Sequence, residues 1–192
     1  MYLHELERKV WTRYFQDGLW DIWLGLMFLG LGLRSLTDNL WWYLLVGAAI
    51  LVLILGKHWI TLPRLGYIKF SAWRRERQMW LRVIIVAAVL LTAVVVFWGI
   101  SAGFAYAGWL FVLLVPGVFL LMAYLMDFPR LAFYALLIAG MMVITERYGD
   151  PLGAYAALAV GGIALAIGLF YLWRFLRRYP TLDAEQTTYD SA

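Results

Sequence analysis

The sequence predicts an all-α integral membrane protein: a bundle of six transmembrane helices preceded by a short amphipathic helix lying in the membrane interface. Three observations carry that reading. Of the 192 residues 65% are hydrophobic and only 15% charged, with mean hydropathy +0.78, whereas a soluble domain is about half apolar and about a quarter charged. The apolar residues are gathered into six runs of near-spanning length, and a helix needs ~20 residues to cross a ~30 Å hydrocarbon core. Finally, the charges are confined to the gaps between the runs and strongly biased to alternate gaps.

Residues 1–17 carry charges of both signs and no cleavable apolar core, so no secretory signal is expected and the first span should be retained. Leu3, Leu6, Val10 and Tyr14 recur at helical spacing, the pattern of a helix lying in the interface. Arg13 stands four residues before Asp17, so one helix face could pair them. Asp17 and Asp21 open the first span, where their charge complements the helix dipole.

The membrane domain covers 18–178, with spans expected at 19–36, 40–56, 83–100, 106–126, 128–145 and 152–173. Asp38 and Asn39 make the first connection a tight one, and Gly99, Ser101 and Gly103 mark another. The fifth run is the shortest, about 22 Å from Leu131 to Glu146 at 1.5 Å per residue. Pro116-Gly117 falls at the middle of the fourth span. The proline deprives the Val112 carbonyl of its donor, which predicts a kink and the best candidate hinge. Gly18, Gly25 and Gly32 recur at sevens, and Gly153, Ala157, Gly161, Ala164 and Gly168 at threes and fours. Such small faces let helix backbones approach closely, first of all inside the monomer. Residues 179–192 form an acidic tail, read as solvated and disordered.

The segment 57–82 is the one long polar stretch. Lys57, Arg64, Lys69, Arg74, Arg75, Arg77 and Arg82 there face a single acid, Glu76. With six spans, 14 of the 16 basic residues fall on the side of this segment and of both termini, leaving only Arg34 and Arg147 opposite. Cytoplasmic loops are enriched in Lys and Arg, so the segment and both ends are placed in the cytoplasm.

No residue pattern points to chemistry. With no cysteine, disulfides, thiol nucleophiles and cysteine-bound metals are excluded. His4 and His58 are the only histidines, and no metal-binding spacing accompanies them. Asp17-Gly18 with Asp21 and Asp38 is similar to the opening of the metal motif of CDP-alcohol phosphotransferases. Asp21-Ile22 stands where that family has Ala-Arg, so the activity does not carry over. No catalytic residue, cofactor or metal is therefore expected, nor nucleic acid, which would call for a basic face on a soluble fold.

The binding surface expected instead comprises Arg64, Gly66, Tyr67, Lys69, Trp73, Arg74, Arg75 and Arg77, where aromatic anchors alternate with basic side chains suited to anionic lipid. A membrane-protein partner or a second copy of the chain is the other occupant considered. Asp17-Gly18-Leu19-Trp20-Asp21 and the segment 63–70 resemble small prokaryotic multi-span membrane proteins that carry no assigned function. That resemblance covers under a tenth of the chain and implies a prokaryotic inner-membrane location without any activity. The function expected is that of a non-enzymatic accessory, scaffolding or regulatory subunit acting through the basic segment. A small carrier for an apolar or lipid-like solute, hinged at Pro116 and Gly117, is the alternative, with a lipid-modifying enzyme behind it.

Overall fold

The structure, a computed structural model, describes residues 17–65 and 107–179, together with helical residues at intervals between 79 and 97. Among the described residues there is no strand. The helices are α1 (Leu19–Thr37), α2 (Trp42–Gly56), a π-helical turn (Lys57–Thr61), the single turn α3 (Leu62–Leu65), α4 (Ala107–Met126), α5 (Pro129–Tyr148) and α6 (Asp150–Arg178). Five described stretches are long and apolar enough to cross a membrane: Leu19–Thr37, Trp42–Thr61, Gly108–Met126, Pro129–Tyr148 and Asp150–Arg178. The run expected as the third span is described only in part, with a shorter apolar helix at Val86–Val95. All but Asp17 of the interfacial helix expected within 1–17, and the tail beyond Tyr179, lie outside the described residues.

Two differences from the expected boundaries have physical reasons. The second helix does not stop at Gly56 but passes through the π-helical turn into α3, so Lys57 and His58 are on a helix rather than in a loop. The fifth helix is not short. It continues past Glu146 to Tyr148, 20 residues in all, about 30 Å at 1.5 Å per residue. Its polar last turn adds the length that an apolar run alone does not count.

The chain divides into two compact units, residues 1–69 with 157–192 and residues 70–156. In the first, α1 and α2 form an antiparallel hairpin. Its turn places Asp38 in the left-handed region at φ 50°, tied by an Arg34–Asp38 ion pair of 3.1 Å. The Trp42 indole N–H donates to Thr37 Oγ1 at 2.8 Å across the same turn. The hairpin is packed face to face where Gly30 meets Val46 and where Leu19 covers Gly56.

The remainder of α6 in this unit lies against α1 backbone to backbone. A Cβ on Gly25 would stand 2.7 Å from the Leu165 nitrogen, one on Gly161 2.8 Å from the Leu29 nitrogen, and one on Gly168 2.6 Å from the Ile22 nitrogen. The small-residue faces expected to pack inside the monomer thus meet each other here. Pairing Gly25 with Gly161 and Gly18 with Gly168 makes α1 and α6 antiparallel. Leu24, Phe28, Val160 and Ala164 are buried around these contacts.

In the second unit α4 and α5 form another hairpin, turning through Asp127 at φ 50° with Pro129 opening α5. Met126, Phe128, Leu131, Tyr134, Ala135 and Ile138 make its buried core. Gly149, at φ 83°, alone separates α5 from α6, a conformation that L side chains rarely adopt. Thr145 packs on Gly153 across this connection.

Candidate functional site

At one end of the first unit the start of α1, the π-helical turn after α2 and the end of α6 are tied together by polar side chains. Asp17 and Gly18 set the first of these. Gly18 has φ 82°, and a Cβ there would fall on the Gly168 carbonyl, so both the backbone angle and the neighbouring helix require glycine. The turn brings the Leu19 N–H to Asp17 Oδ1 at 3.1 Å, satisfying one of the orphan donors at the start of α1.

The other carboxylate oxygen, Oδ2, receives the Lys57 ammonium at 2.6 Å and the Thr61 hydroxyl at 2.6 Å. Lys57 and Thr61 are four residues apart, at the first and last positions of the π-helical turn, and so present one face to Asp17. Asp17 and Thr61 are fully buried and Lys57 is 9% exposed. Asp21, also fully buried, lies one turn along α1 from Asp17. Three donors converge on the Asp17 carboxylate, which ties the start of α1 to the turn after α2. A buried ammonium and carboxylate at this distance are mutually compensating, while either alone would be strongly unfavourable.

Arg64 makes the second tie. Its Nη1 donates to the Leu176 carbonyl at 3.2 Å and to the Tyr179 carbonyl at 2.6 Å, filling acceptors that a helix C-terminus leaves without intrahelical partners. Arg64 is thus placed on the end of α6. On the outer side, His58 and Trp59 are exposed, Trp59 by 71%, a position suited to a ring at headgroup level.

Of the residues expected to bind lipid or a partner, only Arg64 is among those described. Gly66, Tyr67, Lys69, Trp73, Arg74, Arg75 and Arg77 lie outside the described residues. Pro116 is buried in α4, which runs unbroken through it, and Gly117 points to open space. Arg13, expected to pair with Asp17, lies outside the described residues; among those described, Asp17 accepts from Lys57, Thr61 and the Leu19 N–H.

The sequence Pro-Arg-Leu occurs at both 63–65 and 129–131, and the two differ locally. Pro63 lies within α3, with its arginine on the end of α6, whereas Pro129 opens α5 and its arginine stands 4.8 Å over the Phe128 ring. Among the described residues no group of His, Asp and Glu could hold a metal ion. No protein-family model, no curated protein and no solved structure matches the chain.

Proposed function

We propose that this is a six-span inner-membrane protein with both termini in the cytoplasm, and that it serves as a non-enzymatic accessory, scaffolding or regulatory subunit. Its basic segment 66–82 meets anionic lipid or a partner protein at the cytoplasmic face. The observation that carries the reading is the bond from Arg64 to the Tyr179 carbonyl, 2.6 Å. It joins the root of the basic segment to the end of α6, and Asp17 joins the same root to the start of α1. The segment therefore leaves a polar-clamped platform.

The same bond supports the span count by parity. The ends of α2 and α6 share one side, so an even number of crossings must separate them. The described helices α4, α5 and α6 supply three. A fourth crossing would make the number even, and the shorter apolar helix around Val86–Val95 is the candidate for it.

The test is purification in a mild detergent or native nanodiscs, with mass spectrometry of what stays bound. A stoichiometric partner protein or anionic phospholipid is expected with the wild-type chain. Occupancy of the partner or lipid held by the segment 66–82 should fall at least tenfold in the Arg74→Gln, Arg75→Gln, Arg77→Gln variant, since each basic residue near an anionic surface contributes about 1 kcal/mol. A retained neutral apolar molecule, with neither partner nor anionic lipid, would favour a carrier instead.

A further inference from the structure

We infer that the exposed face at the end of α6 is a binding site for an anionic phospholipid, separate from the segment 66–82. Arg174, Arg177 and Arg178 stand at i, i+3 and i+4, so one helix face gathers all three. Each is exposed. The only acid of α6 is Asp150, at the opposite end of the helix, and among the described residues no carboxylate forms an ion pair with these arginines.

Basic residues in a last turn commonly serve the helix itself, by complementing its dipole and bonding its terminal carbonyls. Here Arg64 takes the carbonyls of Leu176 and Tyr179. That leaves the three arginines to face outward. Arg177 is held in place by stacking, its guanidinium carbon 4.1 Å from the Trp173 ring centroid, a geometry that orients the charge without neutralising it.

The occupant follows from what lies next to the charges. Trp173, Phe170 and Leu169 are about half exposed, at 51%, 53% and 53%, and they precede the arginines by one to two helical turns. An apolar and aromatic rim directly below a triple positive charge matches a phospholipid, with acyl chain and glycerol against the rim and phosphate against the guanidinium groups. Arginine suits that phosphate because its planar fork can donate two parallel hydrogen bonds. An acidic protein segment would complement the arginines and leave the rim unused.

The test uses the full chain in detergent, titrated with phosphatidylglycerol or phosphatidylcholine and read by native mass spectrometry. The wild-type protein should retain phosphatidylglycerol in preference to phosphatidylcholine. Arg174→Gln, Arg177→Gln, Arg178→Gln should weaken that retention on the order of a hundredfold, taking roughly fivefold per residue near the surface. Should that variant not fold, Trp173→Leu with the arginines kept should weaken it severalfold. Arg74→Gln, Arg75→Gln, Arg77→Gln should leave the α6 lipid bound, which separates this site from the basic segment. Equal retention of the two lipids, or loss only in the 74/75/77 variant, would overturn the inference. So would a second copy of the chain occupying the face in place of lipid.

Discussion

Replacing Lys57 by Met is expected to destabilise the first unit by about 3–5 kcal/mol, the usual cost of removing one partner from a buried ion pair. Lys57 Nζ lies 2.6 Å from Asp17 Oδ2, and Asp17 is fully buried. Among the described residues, the variant leaves that carboxylate with the Thr61 hydroxyl and the Leu19 amide as donors. Thermal unfolding in detergent, followed by tryptophan fluorescence, should show a clearly lowered midpoint. Asp17→Asn combined with Lys57→Met should recover at least half of the loss, because an amide can keep bonds to Thr61 and Leu19 without a buried charge. A double variant no better than the single one would mean that the charges themselves are not what is being compensated.

The second large effect is expected at Gly161, with its sequence neighbour Gly162 as the control. A Cβ at Gly161 would stand 2.8 Å from the Leu29 nitrogen and 3.0 Å from the Gly25 carbonyl oxygen. Those are backbone atoms of α1, which cannot move aside without separating the helices. Gly161→Val should therefore cost about 1–3 kcal/mol or more, as overpacking does in a close-packed contact. Gly162 faces open space, with nothing within 4 Å of the corresponding position. Gly162→Ala should be neutral or stabilising by up to about 1 kcal/mol through helix propensity. The same unfolding assay checks both, and equal effects at the two positions would contradict the packing of α6 on α1.

Much of this architecture is legible in the sequence because a bilayer imposes a simple rule on composition. The apolar runs locate α1, α2, α4, α5 and α6 to within a few residues at most ends. Their boundaries err where a helix carries polar residues in its last turn, as at Glu146–Arg147 in α5 and at Lys57–His58 after α2. The glycine spacing in 18–32 and 153–168 also foretells a real contact, since only small residues permit the backbone approach seen at Gly25 and Gly168.

The clamp is less legible. Asp17 and Lys57 are 40 residues apart, and each has an ordinary explanation alone, a helix dipole for one and a topology signal for the other. The available signal is symmetry about the turn at 38–41, which puts Asp17 level with the stretch from Lys57 to Thr61. Arg64 offers no such signal. Its partners are backbone carbonyls 112 and 115 residues away, and carbonyls have no residue type to read. Basic residues that look alike in the sequence thus separate into two kinds, those built into the clamp and those presented at the surface.

The orientation of the basic segment is the claim on which the rest depends, and the chain suits a direct test because it contains no cysteine. Single cysteines placed at Ser71, Ser101 and Ser191 can be labelled in intact cells and in inverted membranes with a reagent that does not cross the bilayer. Ser101→Cys should react from outside, whereas Ser71→Cys and Ser191→Cys should react only from the cytoplasmic side. Labelling of Ser71→Cys from outside, or of Ser71→Cys and Ser101→Cys from the same side, would contradict that orientation.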